Sequence, residues 1–120
     1  MSRAMTIFQG LREDLARPAL ASLRAAVRSH HDELVRAQRK DELVAIDLAE
    51  QLGARLEQLL AVAHDLAPEA RMGIVGAARY FVSTADAIPD GRACTGLDDD
   101  VEVFNHVARS LGRPELVITE

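Results

Sequence analysis

Residues 41–67 read DELVAIDLAEQLGARLEQLLAVAHDLA, and this stretch has the most regular apolar pattern in the chain. Its apolar residues recur at alternating intervals of four and three: Ala45, Ala49, Leu52, Leu56, Leu59, Ala63 and Leu66. This heptad spacing places them along one face of an α-helix. At ~1.5 Å per residue the helix is about 40 Å long, longer than the diameter of a domain of this size. Pro68 ends the helix and suits the first turn of the next one.

Further apolar residues lie off this face and widen the stripe: Val44, Leu48, Leu60 and Val62. A helix that is too long for its own globule and apolar beyond one face needs another surface to cover it. The pattern therefore predicts that these residues form an interface with a second copy of the chain or with another protein. The alternative is that the stripe is only core, because every helical bundle needs such spacing.

The same periodicity continues upstream of residue 41. Apolar residues spaced by three and four predict a first helix over roughly 6–17, a kink or break at Pro18 and a second helix to about residue 38. Two apolar faces of this length would stay uncovered in one continuous rod. The second and third helices are therefore expected to form a tight helical hairpin.

Downstream, the pattern predicts a fourth helix over roughly 69–82 and a last helix from Leu97. Gly112 stands where a left-handed residue commonly ends a helix, and Pro114 follows it. The segment between these two helices contains Pro89, Gly91 and Gly96 and has no helical periodicity.

Composition agrees with a helical protein. The 120 residues are 48% hydrophobic and only 3% aromatic, with 20 alanines and 15 leucines, which argues against an all-β sandwich. We expect an all-α fold, a bundle of four to five helices with one long acidic loop. A single helical domain covers 1–120, with a tail at 112–120.

Charge, cysteine content and hydropathy exclude several classes of protein. The net charge of −5 argues against nucleic-acid binding, because nucleic-acid-binding domains typically carry a basic surface. The single Cys94 excludes an internal disulfide framework and a multi-cysteine zinc site. No uncharged stretch approaches the roughly 20 residues of a membrane span, and the N-terminus has no signal-peptide pattern. We therefore expect a cytoplasmic protein.

The net charge is concentrated in residues 84–102. This segment holds six acidic residues against Arg92, whereas residues 1–83 contain 11 acidic and 11 basic residues. The acidic residues are Asp86, Asp90, Asp98, Asp99, Asp100 and Glu102. Loops on a rigid scaffold are where function concentrates, so this segment is the first candidate for a site.

Two explanations of the acidic segment stay open. In the first, Asp86 and Asp90 face Asp98 and Asp99 and together bind Mg²⁺, Mn²⁺ or Ca²⁺, which prefer carboxylate oxygens from more than one element.

In the second explanation the carboxylates have structural partners. Asp98–Asp100 compensate the dipole in the first turn of the last helix, with Thr95 or Asp98 as the cap. Arg79 and Arg92 form ion pairs that tie the segment to the fourth helix.

The same region resembles the YkvA-like bacterial family. The resemblance rests on these motif positions: Tyr80, Asp86, Ile88, Pro89, Asp90, Gly96, Asp98 and Asp99. It covers 30 to 40 residues within a region spanning 69–111, and it implies a small helical protein without an established general activity. Many members are membrane-associated, but their apolar, proline-containing insert is replaced here by Gly91–Thr95. This departure argues against a membrane role.

The remaining chemistry-bearing residues are expected to be structural. His30 lies on the apolar face of the second helix and is predicted to be a core residue. Glu102 and His106 are four residues apart, a spacing that suits an ion pair or two metal ligands. Cys94 has no catalytic base identifiable nearby in the sequence.

These observations favour a non-enzymatic interaction or scaffold module. It would act through the apolar face of the 41–67 helix and the acidic 84–102 segment, as a homo-oligomer or with a protein partner, and would need no cofactor. The alternative is a divalent-metal-binding protein or a metal-dependent enzyme centred on Asp86, Asp90, Asp98 and Asp99.

Overall fold

Helices make up most of the residues that the computed structural model describes, which are 2–37, 43–83 and 93–119. The helices are α1 (Arg3–Leu11), α2 (Arg17–Ala37), α3 (Leu43–Val62), α4 (Pro68–Ser83) and α5 (Ala93–Ser110). Two short 3-10 turns cover Ala63–Asp65 and Pro114–Leu116. No strand occurs within these described ranges, so the prediction of an all-α bundle of four to five helices is confirmed.

Helix α4 lies at the centre of the bundle. It packs against each of the other helices, which surround it in the order α1, α5, α3, α2. The consecutive residues Ile74 to Ala78 are all buried, so every face of α4 is covered at this level. One continuous core includes side chains from all five helices.

The connection between α1 and α2 differs from the prediction. α1 ends at Leu11, residues 12–16 are not helical, and α2 begins at Arg17. The predicted break at Pro18 is therefore wrong. Pro18 is the second residue of α2, a position where its missing N–H removes no bond from the helix.

Two arginines of α4 hold this connection in place. Arg79 donates from Nη1 to the Leu11 carbonyl oxygen at 3.1 Å, and its Nη2 lies 2.8 Å from a carboxylate oxygen of Glu13. Arg71 donates to both carboxylate oxygens of Asp14. The expectation that Arg79 pairs with the acidic 84–102 segment is thus not met, because α4 turns this side chain towards α1.

Helices α2 and α3 form the predicted antiparallel hairpin. His31 of α2 packs directly on Gly53 of α3, where an added Cβ would lie 2.7 Å from the imidazole Cγ. Three residues earlier in α2, Arg28 Nε lies 3.8 Å from Glu57 Oε1, four residues later in α3. Gly53 is therefore required by the close approach of the two helices.

Helix α3 is shorter than predicted. It ends at Val62, and its 20 residues span about 30 Å. After the 3-10 turn, Leu66 is extended, with φ −97° and ψ 165°. Arg71 donates to the Leu66 carbonyl oxygen at 2.9 Å, and Ala67 precedes a proline, which disfavours helical conformation. These features turn the chain into α4, so the periodic pattern that continues to residue 67 overstates the helix.

The C-terminal end of α5 matches the prediction. Gly112 has φ +71°, its N–H donates to the Arg109 carbonyl, and the Arg113 N–H donates to the Ala108 carbonyl. This pair of bonds is a Schellman motif.

The predicted tail packs on the bundle. The buried Asn105 side chain accepts from the Ile118 N–H at 2.8 Å and donates to its carbonyl oxygen at 3.0 Å.

None of the described helices combines the length and the apolar content of a membrane span.

Candidate functional site

The predicted divalent-cation site is described only in part. Asp86 and Asp90 lie outside the described residues. Asp98 and Asp99 are exposed on α5. No group of three or more metal-binding side chains occurs in the described ranges. Since two of the four proposed ligands lie outside those ranges, the cation site stays a prediction.

The expected helix-capping role of the aspartates is wrong. α5 begins at Ala93 rather than at Leu97, so the predicted acidic loop is helical from residue 93 to residue 102, and residues 84–92 lie outside the described ranges. Asp98, Asp99 and Asp100 therefore lie in the second turn of α5 rather than its first. Neither Thr95 nor Asp98 can be the N-cap, because both are inside the helix. The negative charge therefore lies one turn beyond the position that best compensates the helix dipole.

Acidic residues of α5 act electrostatically on a buried tyrosine of α4. Tyr80 is 4% exposed. Burial raises the pKa of its phenol to about 12, and the negative charges of Asp99, Asp100 and Glu102 act in the same direction. Glu102 also accepts a 2.6 Å hydrogen bond from the Ser2 hydroxyl, which joins α5 to the start of α1. We call the exposed residues Asp98, Asp99 and Glu102 the acidic face of α5.

Two of the four residues of the predicted apolar interface belong to the core. Leu48 and Leu60 are 4% and 3% exposed within the single chain. They face inward because α3 packs against α2, α4 and α5 and therefore needs a wide apolar stripe. Val62 is 44% exposed, and the side chain of Val44 lies outside the described part of α3. Leu48 and Leu60 therefore do not form the exposed apolar interface that the sequence pattern predicts.

Two of the histidines, His30 and His106, pack against phenylalanine rings. His30 is buried, as predicted, and its ring meets Phe81 edge-to-face with centroids 4.7 Å apart. His106 meets Phe8 in the same way at 5.7 Å. Glu102 bonds Ser2, so the described contacts give no support to a Glu102–His106 ligand pair. The side chain of Cys94 lies outside the described residues.

A feature that the sequence analysis did not identify is a groove between α2 and the second half of α3. The groove has a volume of about 410 Å³. Three exposed arginines of α2 line it: Arg17, Arg24 and Arg28. Its apolar part is formed by alanines together with the buried Leu20 and Leu60. We call it the arginine groove.

The arginine groove carries net positive charge in a protein of net charge −5. Glu57 is its only acidic lining residue among those described, and three arginines less one glutamate give +2. The Arg28–Glu57 pair is long, at 3.8 Å, and the Arg28 side chain is 75% exposed. The guanidinium groups therefore remain accessible to carboxylates, which they can bind in a two-pronged geometry.

The spacing of these arginines was a usable signal. Arg17, Arg24 and Arg28 follow at intervals of seven and four and so share one face of α2. Sequence reasoning treats such a face as solvated. It becomes one wall of a groove only because α3 packs beside it.

Comparison with known proteins adds no further assignment, since no protein-family model, curated protein or solved structure matches this chain. The resemblance to the YkvA-like family stays a prediction.

Proposed function

We propose that this protein is a non-enzymatic interaction module that associates with a second copy of itself, the acidic face of α5 of one copy entering the arginine groove of the next. The observation that carries the proposal is the separation of charge. A groove of net charge +2 lies between α2 and α3, and an exposed acidic face lies on α5.

The arrangement of helices makes this contact intermolecular. α2 and α5 are diagonally opposite around α4. Glu102, which bonds Ser2, places the acidic face on the side of α5 near α1, away from the arginine groove. The two surfaces cannot meet within one chain, but they are complementary between copies. Such a head-to-tail contact forms a ring or an open chain.

Charge supplies selectivity and encounter rate in this proposal, while the apolar part of the groove supplies contact area. Exposed ion pairs each contribute little, on the order of 0–1 kcal/mol. Association is therefore weak and sensitive to salt, because the screening length falls from about 10 Å at 0.1 M salt to about 3 Å at 1 M. The proposal keeps the predicted cytoplasmic location and needs no cofactor.

Light scattering at low and high ionic strength tests the proposal. The wild type should give a mass at least twice 13.1 kDa at low salt and approach the monomer at high salt. A groove variant, Arg24→Glu with Arg28→Glu, and a face variant, Asp98→Lys with Asp99→Lys, should each be monomeric. All four side chains are exposed, so the fold should survive.

Mixing the two variants is the decisive arm. The intact face of the groove variant meets the intact groove of the face variant, so the mixture should regain assembly. The control Arg36→Glu with Arg109→Glu makes the same charge change as the groove variant, but at exposed arginines outside the groove. It should assemble like the wild type. A monomeric wild type at low salt, or a mixture that stays monomeric, contradicts the proposal.

A further inference from the structure

A second cavity, separate from the arginine groove, lies between α1, α4 and α5. Its volume is about 420 Å³, within the range of small-molecule sites. Its apolar wall includes Phe8, Val107 and Leu111, of which Phe8 and Val107 are 2% exposed. Its polar lining includes Arg12, His106 and the carboxylate of Glu69. We call this cavity the Gly73 cleft, after one of the three α4 residues that line it.

Gly73 is not required by the backbone or by helix packing. Its φ is not positive, and an added Cβ would lie 3.9 Å from the Val107 methyl groups, an ordinary contact distance. Three residues later, Gly76 is different, because a Cβ there would lie 2.8 Å from the Phe8 ring. A glycine inside a helix lowers stability relative to alanine. Gly73 lines the cleft, and its missing side chain leaves room there.

Arg12 is positioned to bind an anionic group at the cleft. Its side chain is 23% exposed, and the close approach of its Cγ to Gly76 holds its stem against α4. It donates to Gln9 Oε1 at 3.3 Å and to Glu69 Oε1 at 3.0 Å. These bonds use two of the five N–H donors of a guanidinium. The Glu69 side chain is 81% exposed, so a carboxylate from a ligand can replace it as the partner of Arg12.

We infer that the Gly73 cleft binds a small amphipathic carboxylate. Its apolar part lies in the space left by Gly73, against Phe8 and Val107, and its carboxylate pairs with Arg12. His106 lies beside the apolar part, since its ring already meets Phe8 edge-to-face. This inference does not depend on self-association, because the cleft shares no lining residue with the arginine groove.

The probes are 3-phenylpropanoate and its uncharged amide, titrated into the whole protein and followed by NMR at the Val107 methyl groups and the His106 ring. The carboxylate should bind with a Kd below about 1 mM and about tenfold more tightly than the amide. Arg12→Gln should remove the preference for the carboxylate. Gly73→Leu should abolish binding of both probes by filling the cleft.

Two further variants keep the test decisive if Arg12→Gln lowers stability. Glu69→Gln removes the competing carboxylate and should tighten binding of 3-phenylpropanoate. Gly10→Ala changes an exposed helical glycine that has open space around it and should leave binding unchanged. The inference is overturned if the carboxylate and the amide bind equally to the wild type, if neither binds, or if Gly73→Leu binds like Gly10→Ala.

Discussion

The two sides of α4 differ in how their charged groups are arranged. On one side opposite charges pair, and on the other negative charges act on a neutral phenol. On the side facing α1 and residues 12–16, arginines of α4 meet carboxylates, and hydrogen bonds from Arg71 hold the pKa of Asp14 below its ordinary value. On the side facing α5, burial of Tyr80, together with the negative charges of α5, raises the pKa of its phenol.

Some charged groups are therefore engaged in ion pairs that stabilise the fold, whereas others are exposed and accessible to a partner. Arg71 and Arg79 order the irregular connection between α1 and α2, so their carboxylate partners are already engaged. Asp98 and Asp99 are exposed, and the net charge of −5 comes from their segment. The arginines of α2 are exposed as well. A module that associates through charge needs this division.

The largest expected effect tests the packing on the α1 side. Phe8 is 2% exposed, and its ring fits against Gly76. Phe8→Ala should lower the free energy of unfolding by about 3–5 kcal/mol, because it leaves a cavity between α1 and α4. The neighbouring Ile7 is 43% exposed, so Ile7→Ala should change stability by less than about 1 kcal/mol. Urea denaturation measures both, and a loss for Phe8→Ala as small as the one expected for Ile7→Ala would show that Phe8 is not part of the core.

The next effect tests the α5 side through pH. The pKa of Tyr80 is raised from 10.0 to about 12 in the folded chain. Below pH 10 the phenol is neutral in both states and has no effect on stability. Above pH 10 the unfolded chain loses the proton first, which favours unfolding. Stability should therefore fall as the pH rises above 10, by about 2–3 kcal/mol in total once the pH passes the folded-state pKa.

Tyr80→Phe isolates this contribution from that of other groups. Urea denaturation between about pH 10 and pH 12 should show a smaller loss of stability for Tyr80→Phe than for the wild type. Identical pH profiles for the two proteins would mean that the phenol is not held in its neutral form by burial and by the carboxylates of α5.

The smallest effect compares two glycines of α4. Gly76→Ala places a Cβ 2.8 Å from the buried Phe8 ring and should cost about 1–3 kcal/mol. Gly73→Ala meets nothing closer than 3.9 Å and should raise stability by about 0.5–1 kcal/mol through helix propensity. Thermal melts decide the signs, and a loss of stability in Gly73→Ala would remove the argument that this position is free to accept a side chain.

The predictions that held concern features fixed by neighbouring residues, and those that failed concern features fixed by residues distant in the sequence. The end of α5 depends on Gly112 and the bonds of its own last turn, so it is visible in the sequence. The end of α3 is not, because Arg71 bonds the Leu66 carbonyl from the next helix. The break before α2 lies at 12–16 rather than at Pro18, and arginines of α4 hold it there.

Periodicity in the sequence determined that this chain is helical, roughly where its helices lie, and which face of each is apolar, because these properties arise from neighbours three or four residues apart. Only the tertiary structure decided what those faces touch. The burial of Leu48 and Leu60 depends on packing around α3 on several sides, and the groove beside Arg24 exists because α2 and α3 lie together. Contacts between distant residues fix both outcomes, and no spacing along the chain records them.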